Sequence, residues 1–262
     1  QSPLTPPQGT YVRNEDGTPD YAGRLSVRRA THVGINRARA VAEDSLLYTQ
    51  ETIEPAEAGI AFYARVVVPQ QKADALRGYL SGRYHVGRGR SRGLGSVELS
   101  IHQEPEYDPA GLRRRVADFA LAVRATLGQY QAYDQRISLD LPGSLFTLTL
   151  RSPAILQAYG TPAVQPTPEL LKLSHTTLLC AWARPEVVTG WDAAAQLPRR
   201  THLAVRAGSA FLYWVSPQFD LLETLWQRLQ EIELEGIGEE RPRGYGQVTV
   251  CAPFHRHSRL RT

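Results

Sequence analysis

In the second half of the chain the spacing of apolar residues switches between two and about 3.6, the mark left by strands alternating with helices. Leu145 to Leu150 reads as a compact strand, Thr167 to Leu173 as a short helix with Pro168 in its first turn, and Thr177 to Ala183 and Ala210 to Val215 as two more strands. Ser216 and Pro217 have N-cap and N1 chemistry for a helix running through Leu221, Leu222, Leu225, Leu229 and Ile232. Gly190 to Pro198 reads as a loop, and Gln247 to Ala252 closes the series as a strand. Strand, helix, strand, strand, helix, strand is the split β-α-β order of a ferredoxin-like domain. That order puts its second and fourth strands at opposite sheet edges, so Cys180 and Cys251 are expected to be too far apart to bridge.

The first half repeats part of this pattern. Leu25 to Ile35 and Ala58 to Val68 alternate as the two strands of a hairpin, with the polar segment Asn36 to Glu57 as an insertion between them. Gln70 to Ser81 sets Ala73, Leu76 and Leu80 on one helical face, and Ser96 to His102 follows as a strand. These are the last four elements of the order, so its opening strand and helix are expected before residue 1. Residues 1–22, with four prolines, read instead as a linker or arm. Tyr107 to Tyr133, with Leu112, Val116, Phe119, Val123 and Leu127 at three- and four-residue steps, reads as an amphipathic helical connector.

The expected fold class is therefore α+β, with two tandem ferredoxin-like (RRM-like) domains. An arm (1–22) precedes a partial domain with an inserted hairpin (23–104), incomplete at its amino end. A helical connector (105–140), a second domain (141–254) and a basic tail (255–262) follow. Each domain carries a glycine-rich loop between its last helix and last strand.

Those two loops are related in sequence. Gly87 to Leu99 matches Gly238 to Val250, pairing Arg90 with Arg241, Arg92 with Arg243, Gly93 with Gly244, Gly95 with Gly246 and Val97 with Val248, at a constant offset of 151 (241 minus 90). A fixed offset is what an internal duplication leaves. Arg28 to His32 against Arg199 to His202, and Ala58 to Phe62 against Ala207 to Phe211, extend the pairing.

At 262 residues the chain has room for two cores, and its net charge of +4 is mild. The positive charge is clustered: five arginines fall between Arg24 and Arg39, four between Arg83 and Arg92, three at 113–115, and more after His255. Local clusters on a mildly charged protein suit a polyanion track, the alternative being a solvated face. With two cysteines and no zinc spacing or secretory leader, a reducing cytoplasm is the simplest home, and no metal or cofactor is called for. No apolar run approaches the roughly 20 residues that span a bilayer, so no membrane is expected. Methionine is absent, even at position 1, which suggests that the chain begins inside a longer polypeptide or lacks its processed start.

Alternate glycines let a backbone take positive φ and approach a ligand, successive N–H groups can cradle an anion, and arginine forks suit phosphate. The RNA-binding candidates are thus Gly87, Arg88, Gly89, Arg90, Arg92, Gly93 and Gly95 in the first loop, and Gly236, Gly238, Arg241, Arg243, Gly244 and Gly246 in the second. Arg28, Arg29, His32, Arg37, Arg39, Arg199, Arg200 and His202 join them from the basic stretches. A mononucleotide loop would need Lys-Ser/Thr and a helix after the last glycine, and a dinucleotide loop would follow a strand.

With these residues the chain resembles the RAMP superfamily of CRISPR-associated proteins, ferredoxin-like RNA-binding proteins with a glycine-rich loop between last helix and last strand. Thr31 to Tyr48 is similar to the segment that type III backbone subunits carry before their β-hairpin, and Gly190 to Tyr213 to the later half of the large type III-D subunit. The resemblance covers residues 24–254. It implies a non-catalytic or weakly catalytic subunit of an antiviral ribonucleoprotein, with CRISPR guide RNA, target RNA and other RAMP and large subunits as partners. The family's cutting aspartate lies near the start of the fold, and Ser152 to Thr167 holds none, so no catalytic residue carries over. Asp44 and Asp192 stand in plausible loops, with solvated loop carboxylates the alternative.

Two rival readings stand beside this one. A metal-independent CRISPR RNA-processing endonuclease would use a histidine as general acid/base, with His32 and His202 as candidates. A two-domain RRM-type protein would read bases with Phe62, Tyr63, Phe211 and Tyr213, although its central-strand motif is missing. Among the tryptophans, Trp191 is the one placed in a loop where it could stack on a base.

Overall fold

The computed structural model describes residues 11–13, 19–21, 27–36, 38–39, 41–54, 66–87, 89–102, 107–131, 142–192, 194–219 and 223–256, and divides into two compact units, 1–66 and 67–262. In the first unit β1 (Tyr11–Arg13) pairs with β2 (Pro19–Tyr21), and β3 (Val27–Asn36) pairs antiparallel with β4 (Val41–Ile53). This corrects the expected hairpin. The partner of the first long strand lies inside the polar segment 36–57, while of 58–68 only residues 66–68 are described, and they carry no regular structure. The ribbon is held by cross-strand pairs: Arg29 Nε meets Glu51 Oε1 at 2.7 Å, Arg28 lies 3.8 Å from Glu54, and His32 stacks on Tyr48 at 5.4 Å. A polar strand held in this way leaves no burial alternation to read.

The second unit opens with α1 (Gln70–Leu80), which buries none of its residues, and the hairpin β5 (Gly82–His85) with β6 (Ser96–Leu99). The first glycine loop therefore joins two paired strands, a correction to the expected helix-to-strand passage. Next come α2 (Pro109–Gln131), β7 (Ser144–Leu150), β8 (Leu156–Ala158), β9 (Thr161–Ala163), α3 (Pro168–Leu171) and β10 (Thr176–Trp182). The chain continues through β11 (Pro185–Val188), β12 (Trp191–Asp192), β13 (Leu197–Pro198), β14 (His202–Val205), β15 (Ala210–Val215), α4 (Glu223–Glu235) and β16 (Val248–Val250).

β10, β15, β7 and β16 form, in that order, one antiparallel sheet, the ferredoxin-like arrangement read from the pattern. Cys180 on an edge strand and Cys251 just after the opposite edge are both free thiols, as expected. Thr167 caps α3 by accepting from Leu170 N, with Pro168 in its first turn. Among the described residues the long helix runs over Glu223–Glu235, and the expected cap at Ser216 and Pro217 is not its start. Ser216 and Pro217 lie in a turn where Phe219 N donates to Ser216 O at 2.9 Å, and residues 220–222 lie outside the described residues.

β7 is buried along both faces, which places the core. On one face Phe146 stacks on Tyr213 at 5.0 Å, and the Tyr213 hydroxyl donates to Pro166 O just before α3. Arg228 Nε on α4 donates to Leu171 O at 2.9 Å, so both short and long helices cover this face. Leu225, Leu229 and Ile232, at helical spacing, fill it, each full burial contributing about 1.5–3 kcal/mol.

The other face, on the side of Thr147 and Thr149, is covered by α2. His255 reaches Thr149 Oγ1 at 2.7 Å and meets Phe119 of α2 edge-on at 6.5 Å. The predicted connector is thus a layer of the core, burying Leu112, Val116 and Phe119. Two side chains seal the β16 edge: Val250 N donates to Glu233 Oε1 at 3.0 Å, and Arg115 Nε donates to Val250 O at 3.2 Å. Arg115 and Glu233 pair at 2.6 Å, and the Tyr107 hydroxyl donates to the same carboxylate at 2.7 Å. Burial first, then that carboxylate, push the Tyr107 hydroxyl pKa up.

Arg113 pairs with Glu223, and Arg114 with Asp108 at 3.3 Å. Of the run at 113–115, Arg115 is thus drawn into a part-buried ion pair, while Arg113 and Arg114 pair with carboxylates at the exposed surface. His255 belongs to a short 3-10 turn, Pro253–Arg256, docked on the sheet, so the basic tail is not free from residue 255. Residues 257–262 lie outside the described residues. Among the described residues no helix is long and apolar enough to cross a membrane.

Candidate nucleic-acid interface

The two glycine loops share one backbone geometry through their central turns. Val86 N donates to Gly95 O at 2.8 Å, and Ile237 N, 151 residues later, donates to Gly246 O at 2.8 Å. Arg92 N to Gly89 O (2.8 Å) is repeated as Arg243 N to Glu240 O (2.9 Å), and Gly93 N to Arg90 O (3.1 Å) as Gly244 N to Arg241 O (2.9 Å). Each loop thus forms a single 3-10 turn, Arg90–Arg92 or Arg241–Arg243, between residues in left-handed conformation, Gly89 and Gly93 or Glu240 and Gly244. The sequence offset is a structural equivalence.

The glycines divide into two kinds. A Cβ on Gly95 or Gly246 would stand well under 3.0 Å from the carbonyl oxygen of Val86 or Ile237, and one on Gly238 equally close to Ile155 O. These glycines let the chain approach itself. Gly93 (φ +79°) and Gly244 (φ +88°) have nothing within 4 Å of such an atom, so the backbone there faces open space.

Several amides of the second loop are used within the fold. In the second loop Gly236 N donates to Ile232 O, Ile237 N to Gly246 O, Glu239 N to Ile155 O, Gly246 N to Pro153 O, and Gln247 N to Ser152 Oγ, all at 2.8–2.9 Å. The segment 152–155, read from sequence only as an aspartate-free loop, fixes this loop with its carbonyls. Two of its three acceptors, Pro153 O and Ile155 O, are backbone carbonyls and leave no residue-type signature, and the third is the Ser152 hydroxyl. What the loop offers outward is a ridge carrying Arg241 and Arg243, both exposed.

The remaining candidates are dispersed. Arg28 and Arg29 are engaged with glutamates across the β3–β4 ribbon, and Arg39 stands in its turn. Arg37 and Arg88 lie outside the described residues. Asp44 falls on strand β4 and not in a loop, with only its backbone described. His32 faces Tyr48 on a ribbon in the first unit, and His202 faces Val188 on β14 in the second. They stand 170 apart (202 minus 32), outside the 151 offset that relates the loops.

Arg199, 4.0 Å from Asp192, and the exposed Arg200 follow the β12–β13 hairpin. Asp192 Oδ1 accepts from Ala194 N at 3.0 Å and Ala195 N at 3.1 Å, which makes it a turn-forming residue. Those amides, Ala195 first, then the Arg199 and Arg243 charges, hold its carboxyl below the usual range. Trp191 beside it is 56% exposed, whereas Phe211 and Tyr213 are buried in the core and cannot stack on bases. Phe62 and Tyr63 lie outside the described residues. Among the described residues, no group of acidic, histidine or cysteine side chains could hold a metal.

The fold is α+β, with a ferredoxin-like four-stranded sheet and paired arginine-glycine turns. The chain matches the family described as CRISPR-associated protein (Cas_Cmr3) over residues 5–252, and it belongs to that family. Solved structures with local similarity include a Cas6 product complex (14% identity, TM-score 0.30, 40% of this chain and 50% of that one). A Cas6 substrate-mimic complex matches at 17% identity and TM-score 0.30, over 42% of this chain and 54% of that one. A chain from the cryo-EM structure of the Type III-B Cmr-beta complex bound to cognate target RNA matches at 12% identity and TM-score 0.28, over 57% and 77%. The chain thus spans about half the length of the two Cas6 chains. Among curated proteins no significant match is found.

Proposed function

We propose that the chain is a subunit of a type III CRISPR effector complex that holds the guide RNA backbone and helps position target RNA. Other RAMP and large subunits of that complex would be its neighbours. The observation that carries this reading is the arginine-bearing glycine turn, built twice to one backbone plan in a chain of a CRISPR-associated family. An arginine ridge suits contact with a sugar-phosphate backbone, whose recognition carries no sequence information. The same duplication supports two related domains, 23–104 and 141–254, with the loop as their shared element.

Incubating the chain with end-labelled CRISPR-repeat RNA in chelator, then splitting the sample between native and denaturing gels, tests the reading. A shifted band with intact RNA is expected. Cleavage at one position in chelator would replace it with a processing nuclease, and no shift with single-stranded RNA would remove it.

A further inference from the structure

The four-stranded sheet has one sealed edge and one open edge. At β16 the Val250 N–H donates to the Glu233 carboxylate, and its C=O accepts from Arg115. At β10 no strand pairs with the outer edge among the described residues. That strand, Thr176-Thr-Leu-Leu-Cys-Ala-Trp182, holds no charged residue and no proline. An uncharged edge is a template for another strand, and of the usual safeguards β10 has only a bulge, at Leu179.

Exposed apolar side chains gather beside this edge. Of the eight large ones exposed in residues 142–256, six lie between 179 and 203: Leu179, Trp182, Val187, Trp191, Leu197 and Leu203, the other two being Tyr159 and Val164. Directly opposed residues share a face, so the register sets Cys180 and Trp182 on the face of Thr147 and Thr149. There α2 lies over β7 and β16 and leaves Cys180 exposed and Trp182 56% exposed. Beyond Trp182 the chain enters an arm in which β11 pairs with β14, Gly190 O accepts from Arg199 N at 2.9 Å, and β12 pairs with β13. The arm sets Val187 opposite Leu203 and Trp191 opposite Pro198, all four exposed.

Resting on the reading of the chain as a subunit of a larger complex, we infer that the β10 edge and this arm are a protein docking surface, occupied by an uncharged extended strand of a neighbouring subunit that joins the sheet beside β10. A free row of backbone N–H and C=O groups selects an extended polypeptide, and exposed tryptophans are the side chains that most often anchor one. Charge separates this occupant from RNA. A nucleotide strand brings a phosphate with every base and needs cations along its track. β10 has none, and on the arm Arg199 and Arg206 each stand 4.0 Å from a carboxylate, Asp192 and Glu186.

Cys180 reports on the edge. Its iodoacetamide labelling is timed in the free full chain and in the assembly that copurifies with the tagged chain from its own cells, before and after ribonuclease digestion. Labelling should be at least about tenfold slower in the assembly, ribonuclease should not restore it, and hydrogen exchange at the β10 amides should slow with it. Leu179→Lys with Trp182→Lys, both at exposed side chains, should keep the wild-type melting temperature and uridine-oligomer affinity and weaken retention of neighbouring subunits by about tenfold or more.

Equal labelling in free chain and assembly, or full retention of neighbours by the double variant, would overturn the docking surface. Protection lost with ribonuclease would give the edge to RNA, protection already present in the free chain would give it to another segment of this chain, and thiol protection without amide protection would exclude strand addition; each overturns the inference. A chain that copurifies with neither protein nor RNA would overturn the reading beneath it.

Discussion

Replacing Gly246 by alanine sets a methyl group against the carbonyl oxygen of Ile237, whose own amide is bonded to Gly246 O at 2.8 Å. The backbone at Gly246 has φ +71°, which costs a residue with a Cβ about 1–2 kcal/mol. Overpacking against an atom that cannot turn away adds about 1–3 kcal/mol, for a total of about 3–5 kcal/mol once the strained amide bond is included. Gly244→Ala meets the same backbone penalty at φ +88° but open space, and restricting the unfolded chain returns about 0.4–1 kcal/mol, leaving roughly 1 kcal/mol. At about 2–4 °C per kcal/mol for a domain of this size, the two should melt about 6–20 °C and about 2–4 °C below wild type. Calorimetry with urea titration as a second probe reads the difference. If the two variants melt within about 2 °C of each other, the assignment of Gly246 to self-contact and Gly244 to the open side is wrong.

Arg115→Leu should leave the Glu233 side chain, 7% exposed, without its guanidinium and lower stability by about 2–4 kcal/mol, allowing for the 28% exposure of Arg115. A double-mutant cycle with Glu233→Gln, followed by urea midpoint, should show strong coupling, and additive losses would refute the pairing. Burial lowers the His255 pKa from its ordinary 6.5 to about 4, so the unfolded chain binds a proton that the folded one refuses. Stability is therefore full above pH 6.5 and falls by up to about 3 kcal/mol as pH drops to 4, and His255→Gln should flatten that dependence in a pH series of unfolding curves. Burial also pushes the Cys251 thiol up to about 12, whereas Cys180 is exposed. Iodoacetamide at neutral pH should label Cys180 alone in the folded chain, and rapid modification of both by mass spectrometry would contradict the buried position.

The ferredoxin-like order was legible because β10 and β15 alternate along their length, β7 is a continuous run buried on both faces, and α4 buries Leu225, Leu229 and Ile232 at helical spacing. The offset between the glycine loops was legible too, since residues at 89–95 and 240–246 must meet the same backbone angles. Other elements left no such trace. β4 is polar and held by cross-strand pairs, and β8, β9, β11 and β14 run three or four residues, too short to show a period. The turn at Ser216 and Pro217 has the residue types of a helix start, and the hydrogen bond to His175 draws it elsewhere.

Sequence alone determined the sheet order, the paired loops, and the arginines set between their glycines, because local periodicity and backbone angle are written residue by residue. Tertiary structure decided which arginines face outward. Arg115 looks like part of a basic track until Glu233, 118 residues away, meets it, and the amides of Glu239 and Gly246 look open to an anion until the carbonyls of Ile155 and Pro153 accept them. Charge and hydrogen-bonding capacity belong to a residue, but whether they are already spent depends on partners that only folding brings within about 3 Å.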